Sequence, residues 1–559
     1  MEKVLFLFMR RMRRPLVLLI SVYAIAIGGL VLIPGQDDQG QVWHYDFFHA
    51  FYFFSFVGPT VGFGEIPYAL LPQQRFWVSL MLYLTVISWL YTIGKIFGLV
   101  SEPAFIRAMQ EARFIRAVRR LQEPFHIVCG YGETGSLIVE ALSARGARCV
   151  VLDNEPARLD DLELANLPLD VPRLCADATN TQVLIEAGMR LEDCLSVIAV
   201  TDSDAVNTKI AVTTKLLMPR RVVMCRAESS AAMENMASFD TDHIINPFDV
   251  FAEHLGLAIR KPHVNELHRW LGARAGRKLA EPLLPPKGHW LVCGYGRFGR
   301  ACRRYLEASD VQVTVIERDA ESFAKAKDEG LKNRIVGSAT DPEPLHEAGV
   351  EGAQGIIAGT DSDTDNLSIV LTARAINPRI YTVARQNHRA EGELYRAARL
   401  PLVVEPSRIV AWRILPLATI PALSDFLARC RNQEDDWAAE LLEELREEMG
   451  RRAPAVVSLR VAGADCQGLR RAVGDRAVRI ADLAYSPQGE TMPLVPLMWG
   501  RDGKYTLRPA PAQALQAGDS LLLATSERMA HRLEWLVCHS EHWGSAPGTQ
   551  TGLRPPQAA

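Results

Sequence analysis

The architecture this sequence predicts is an α-helical membrane portion of two spans plus a re-entrant helix, followed by two doubly wound α/β units and a small α+β subdomain. Three observations predict it. Two charge-free apolar stretches near the start flank an aromatic run too short to span, a strand–glycine turn–helix pattern occurs twice, and β-rich runs close the chain.

Residues 15–33, PLVLLISVYAIAIGGLVLI, and 76–94, FWVSLMLYLTVISWLYTIG, carry no charge and are long enough to cross a bilayer as helices. The run Tyr45 to Val57, YDFFHAFYFFSFV, is too short to span at about 1.5 Å per residue. It reads as a half-helix whose negative dipole end favours cations. It leads into Thr60, Val61, Gly62, Phe63 and Gly64. The two glycines can take positive φ, which lets consecutive carbonyls turn to one side, while Val61 and Phe63 offer bulk behind the loop and Thr60 adds a hydroxyl. A cleaved signal peptide does not fit, because the apolar stretch is too long and no small-residue cleavage site follows it.

Lys3, Arg10, Arg11, Arg13 and Arg14 precede the first span, and Lys95, Arg107, Arg113, Arg116, Arg119 and Arg120 follow the second. Only Arg75 lies between. By the positive-inside rule both termini are expected in the cytoplasm.

This order of outer helix, pore helix, glycine loop and inner helix resembles the two-helix prokaryotic potassium channels, whose filter run is TVGYG. The resemblance implies four subunits around one pore in the plasma membrane of a prokaryote, and K+ held by the backbone carbonyls of Thr60, Val61, Gly62 and Phe63. Phe63 replaces the family's tyrosine, and Pro59 and Glu65 stand where the family has threonine and aspartate. Pro59 removes one backbone donor. Glu65 is expected to keep an acidic mouth that concentrates cations. No glycine lies between Phe76 and Ile93, which leaves Gly94 and Gly98 as candidates for a hinge.

The rest of the chain has soluble-domain composition. With 62 Lys+Arg against 65 Asp+Glu, a net charge of -3, no general affinity for nucleic acid is indicated. Ten cysteines show no C-x-x-C pair and no ligand-like spacing with histidine, so they read as reduced core residues and not as a zinc site or disulfide framework.

An internal repeat organises this portion. HIVCGYGETGSLIVEAL from His126 is echoed by WLVCGYGRFGRACRRYL from Trp290, and IAVTDSDAVNTKIAVTTKLLMP by IAGTDSDTDNLSIVLTARAINP. In each copy a strand runs into G-x-G-x-x-G: Gly130, Gly132 and Gly135, then Gly294, Gly296 and Gly299, with Tyr131, Glu133, Thr134 and Tyr295, Arg297, Phe298 between them. The first glycine makes the tight turn, the second admits a pyrophosphate, and the third lets helix pack on strand. An acid, Asp153 or Glu317, follows eighteen residues after the third glycine in both, where a carboxylate can accept from a ribose. That pattern favours NAD or an adenine nucleotide (AMP, ADP or ATP) over NADP.

Further candidates for the same sites are Asp177, Ala178, Thr179 and Thr201 in the first copy and Arg318, Ala339, Thr340 and Thr360 in the second. Asp177 becomes Ser338, so that acid occurs once. The two TDSD runs have two readings, contact with a nucleotide or divalent ion, or N-capping of a helix. Arg297 and Arg300 give the second turn positive charge where the first has Glu133; facing the ligand, they would hold phosphate more tightly. Neither copy offers a positioned His or Cys for hydride transfer, which argues against an enzyme.

These units resemble RCK domains, also called TrkA-N domains. The resemblance implies a tandem-RCK channel in which a homotetramer carries a cytoplasmic gating ring of eight units, and ligands pull on the inner helices. The expected organisation is a transmembrane pore domain over 1–100, a linker helix over 101–122, and a first RCK domain with connecting helices over 123–286. A second RCK N-lobe follows over 287–424, then a charged helical connector over 425–455, a TrkA-C-like subdomain over 456–540 and a disordered tail over 541–559. Residues 249–275, with His254, His263 and His268, are expected to pack one unit on the other. The function implied is a ligand-gated potassium-selective channel, with Ca2+ as a second candidate ligand. Two alternatives are a regulatory subunit of a separate potassium transporter and a membrane-anchored NAD-dependent enzyme.

Overall fold

The structure, a computed structural model, describes residues 2–539 apart from 62, 63, 66, 280, 282, 283, 326–332, 463–465, 476 and 486–490. The expected tail over 541–559 therefore lies outside the described residues. The chain divides into two compact units, Met1–Leu121 and Gln122–Ala559.

The first unit is helical. Helix α1 (Glu2–Leu32), a short antiparallel pair β1 (Gly35–Gln36) and β2 (Val42–Trp43), α2 (Phe47–Val57), α3 (Pro72–Val100) and α4 (Pro103–Arg119) follow in order. Met9–Leu32 and Pro72–Leu99 are long and apolar enough to cross a membrane. Helix α2 has 11 residues, about 16 Å at 1.5 Å each, and so is short of a span. Its start is set by Asp46, whose carboxylate accepts from His49 N at 2.7 Å, a side-chain N-cap. Phe53, Phe54 and Phe56 of α2 are buried against Ala26, Ile27 and Leu30 of α1. At its end Gly58 abuts Tyr23, where a Cβ would stand 1.8 Å from the phenol oxygen.

In the second unit the two repeats form matching six-stranded sheets. The first has strands β3 (Phe125–Cys129), β4 (Arg148–Asp153), β5 (Arg173–Cys175), β6 (Cys194–Ala199), β7 (Val222–Arg226) and β8 (His243–Ile245), ordered β5-β4-β3-β6-β7-β8. The second has β9 (His289–Cys293), β10 (Gln312–Glu317), β11 (Arg334–Val336), β12 (Gly355–Ala358), β13 (Tyr381–Arg385) and β14 (Leu402–Val404), ordered β11-β10-β9-β12-β13-β14. All their pairings are parallel. Central strands such as FHIVC are buried along their whole length, as strands covered by helices on both faces must be. The order reverses between β3 and β6 and between β9 and β12, the switch points where such sheets take ligands.

The helix after each sheet packs on the other one. Helix Pro247–Arg260 places Phe248, Phe251, Leu255 and Ile259 in the second core, and helix Pro406–Thr419 places Val410, Ala411, Ile414 and Leu415 in the first. Pro406–Thr419 and Pro421–Cys430 are apolar enough to resemble a bent span, but the first packs in the core of the first sheet, and Leu423, Phe426 and Leu427 of the second pack in a separate core with Val264, Leu267 and Trp270. His254 and His268 pack edge to face at this junction, and His263 pairs with Asp435 at 2.8 Å. The last subdomain is an antiparallel sheet of β15 (Ala455–Arg460), β16 (Leu494–Arg501), β17 (Lys504–Leu507) and β18 (Ser520–Thr525), ordered β15-β18-β16-β17, closed by helix Glu527–His539.

Candidate nucleotide sites and filter loop

The loop after α2 is held by its own backbone. Val61 N donates to Phe56 O at 2.9 Å and Thr60 N to Val57 O at 3.1 Å, so Pro59 does not prevent the turn. Thr60 has φ of 64 and Gly64 φ of 102. The positive φ is free for glycine but strained for a β-branched residue, and Thr60 donates its hydroxyl to Pro59 O at 2.6 Å. Gly62 and Phe63 lie outside the described residues. Glu65, the acid expected at the mouth, is paired with Arg75, at 2.9 Å to Nε and 3.0 Å to Nη2, because α3 begins with Arg75 in its first turn.

In the first repeat, the turn after β3 leads into α5 (Glu133–Ala144). Gly130 has φ of 99, and a Cβ on Gly135 would stand 1.9 Å from Gly130 O, so both need glycine. Gly132 caps α5 without a side-chain hydrogen bond, which leaves backbone N–H groups at the switch point for an anion. Asp153, ending β4, is buried; its carboxylate accepts from Tyr131 N at 2.6 Å and Glu155 N at 2.8 Å. It thus ties the acid to the turn. Ala178 is buried behind Asp177, whose oxygens accept from Thr179 N and Oγ1 at 2.8 and 2.9 Å.

The second repeat reproduces this frame. Gly294 has φ of 93, a Cβ on Gly299 would stand 1.9 Å from Gly294 O, and Glu317 accepts from Tyr295 N at 2.6 Å. Ala339 is buried, and Ser338 and Thr340 hydroxyls meet at 2.6 Å. Arg318 reaches Asp365 at 3.4 Å and is otherwise exposed.

The TDSD runs serve as caps. Ser203 accepts from Val206 N and Ser362 from Asp365 N, while Asp204 accepts from Glu228 N and Ser229 N and Asp363 from Asn387 N and His388 N. Thr201 and Thr360 pack against the first glycine of each turn, where a Cβ on Gly130 or Gly294 would stand 3.1 or 3.4 Å from their Cγ2 atoms, and their hydroxyls donate to Asn207 and Asn366 at 2.7 and 2.8 Å. Both asparagines are fully buried and also donate to the next strand, at Arg226 O and Arg385 O. They are missing from the sequence-derived residues, yet the signal was present: each stands six places after its threonine in both repeats.

Arg158 was missed for the opposite reason, since the second repeat has Ser322 there. Its guanidinium lies beside the first turn, 2.8 Å from Glu155, 3.7 Å from Asp153 and 3.6 Å from Asp202. Arg297 would hold phosphate only if it faced a ligand. Its guanidinium pairs with Glu228 of the first repeat at 2.8 Å, because helix Pro247–Arg260 brings that edge onto the second turn, with Phe248 against Phe298. Reciprocally, Glu133 accepts from Arg389 N at 2.9 Å and Ser407 Oγ at 3.3 Å in the second repeat. A hollow of about 290 Å³ lined by Leu162, Glu163, Asp170 and Arg173 sits at the edge of the first sheet, away from both turns. Among the described residues no cluster of three or more His, Cys, Asp or Glu side chains could hold a metal ion.

Two spans with a glycine loop between them, joined to paired Rossmann-like units, define a membrane protein with duplicated nucleotide-fold domains. A family model for the TrkA-N domain matches residues 126–247 and 290–406, one match on each sheet, so the chain carries two TrkA-N domains. It is similar to a probable potassium channel protein 2 of Methanocaldococcus jannaschii, 29% identical over 209 residues, which are 35% of this chain and 60% of that protein. Potassium channel protein 1 of the same organism is 29% identical over 162 residues, 29% of this chain and 48% of that one. The chain thus spans about half the length of these relatives. A solved structure, a GsuK channel bound to NAD, aligns with 96% of this chain and 99% of its own at 17% identity and a TM-score of 0.48.

Proposed function

We propose that this chain is the subunit of a ligand-gated, potassium-selective channel that works as a homotetramer in a prokaryotic plasma membrane, with both termini cytoplasmic. The observation that carries this reading is Thr60-Val61-Gly62-Phe63-Gly64, set between a half-length helix and a second span. Four such loops would surround K+ with carbonyls of Thr60, Val61, Gly62 and Phe63, in place of its hydration shell. The named similarity to potassium channel proteins points the same way. Transport needs no covalent step, and no enzyme activity is proposed.

The regulatory ligand is NAD or an adenine nucleotide, with its phosphates on the N-termini of the helices after Gly132 and Gly296. Asp153 and Glu317 each offer lone pairs to a ribose beyond those spent on the turn. A ligand moves the gate only by binding the open and closed rings with different affinity. The regulatory-subunit alternative lacks a use for the chain's own spans and glycine loop.

Purified protein in liposomes should pass K+ and Rb+ but not Na+, with flux altered by at least one of NAD, NADH, AMP, ADP or ATP; Ca2+ is tested in the same assay. Absence of selective flux in every condition refutes the channel. Occupancy of the first site has its own reporter, because Cys175 is exposed at the end of β5. Burial, Asp153 and Asp160 raise its thiol, so labelling is best followed at mildly alkaline pH. A nucleotide in the first site should slow it.

A further inference from the structure

The residue directly after the glycine loop is not free. Glu65 accepts both nitrogens of one face of the Arg75 guanidinium, at 2.9 and 3.0 Å, and Leu70 N at 2.9 Å. This bidentate planar match is one that lysine cannot reproduce. Arg75 itself stands on a fixed element. In the same turn, Gln74 is buried, donates to Ile33 O at 3.2 Å and accepts from Leu71 N at 3.1 Å. One turn on, Trp77 donates to Ala26 O at 3.1 Å. Arg75 is also the one Lys or Arg residue between Arg14 and Lys95, a stretch in which Asp37, Asp38, Asp46 and Glu65 are acidic. The pairing also holds the Glu65 carboxyl below the usual range, with the Arg75 hydrogen bonds the main cause and Leu70 N next.

We infer that Arg75 is a positioning residue of the pore mouth: it holds Glu65 and cancels its charge, so that the mouth lacks the cation-concentrating acidic ring that four free Glu65 side chains would form. This rests on the channel reading. A ring of bare carboxylates raises local cation concentration, and the effect is largest when salt is dilute, with a Debye length of about 30 Å at 0.01 M against about 3 Å at 1 M. Neutralised, the mouth should conduct without that gain.

The test is the single-channel conductance of the full chain in planar bilayers at about 0.01 M and about 1 M K+. Arg75→Gln should raise the conductance at the low concentration by roughly twofold or more and leave it unchanged at the high one. The double variant Glu65→Gln/Arg75→Gln, which carries no unpaired charge, should follow the wild-type curve at both. A double variant that conducts less than wild type in dilute K+ overturns the inference, because the wild type then has a working acidic ring. So does an Arg75→Gln curve parallel to wild type. A wild-type protein without any potassium current overturns the channel reading itself.

Discussion

The first glycine turn opens its helix with Glu133 and the second with Arg297, and each of these side chains contacts the other repeat and not its own crevice. Around that difference the two frames coincide: glycine at three places, an acid bound to the turn, and a threonine locked by a buried asparagine. What the two repeats share builds the frame of the glycine turn, and what they do not share distinguishes one crevice from the other. Residues kept in both repeats hold the backbone. Those that differ, Arg158 against Ser322 and Asp177 against Ser338, give the two crevices different charge.

If the frames are equivalent, the same damage should cost both repeats the same. Gly135→Val and Gly299→Val each drive a side chain into a carbonyl 1.9 Å from the Cβ position, and each should lower stability by about 3 kcal/mol, the upper end for overpacking. Thermal unfolding of the detergent-solubilised protein, followed by circular dichroism, measures both. A large loss in one and none in the other would break the equivalence.

The acids should separate the repeats. Asp153 is buried at 4% exposure while Glu317 is half-buried, so water can replace the Glu317 hydrogen bonds but not those of Asp153. Asp153→Ala should cost about 2 kcal/mol and Glu317→Ala about half as much, in the range for a donor left unsatisfied. Urea unfolding of the two variants gives the ratio, and calorimetric titration with NAD and ADP shows which loss of ligand binding follows which acid.

A pH measurement divides the repeats once more. His126 of β3, in the place of Trp290 in β9, is buried against Ser196 at 2.8 Å, and burial pushes its pKa down to about 4. Its unfolded value is about 6.5. The folded state keeps it neutral while the unfolded chain takes up a proton, so stability is full above about pH 6.5 and is lost as pH falls from there to about 4, by about 1.4 kcal/mol per unit. Urea midpoints at pH 7 and 5.5 should move apart in the wild type and draw together in His126→Gln. Some slope should remain, since burial also holds His254 and His268 low at the junction.

Much of this was legible because it repeats or obeys a period. The two sheets, the glycine turns and the acids at a constant offset all follow from residues that appear twice, and the spans follow from uncharged length. The contacts that no pattern in the sequence shows join residues of different elements: Arg297 with Glu228, Glu133 with Ser407, Glu65 with Arg75. No local pattern records them. They depend on how the helix after each sheet crosses to the other, and on where α3 starts. Asn207 and Asn366 lie between these cases, invisible in one copy and evident once the copies are aligned.

The contacts between the repeats give the smallest effect and the sharpest test of reciprocity. Arg297 is half-exposed at 51%, and a solvent-accessible ion pair contributes about 0–1 kcal/mol, so Arg297→Gln and Glu133→Gln should each leave the unfolding midpoint nearly unchanged. Their consequence should instead appear in linkage. If each turn is tied to the opposite repeat, a nucleotide bound at one turn is felt at the other, and coupling between sites is mutual. Cys175 labelling reports the first site, so loosening the second turn with Arg297→Gln should change the nucleotide concentration that protects Cys175, although Arg297 belongs to the other crevice. An unchanged protection curve would make the two crevices independent, and the reciprocal contacts a matter of packing alone.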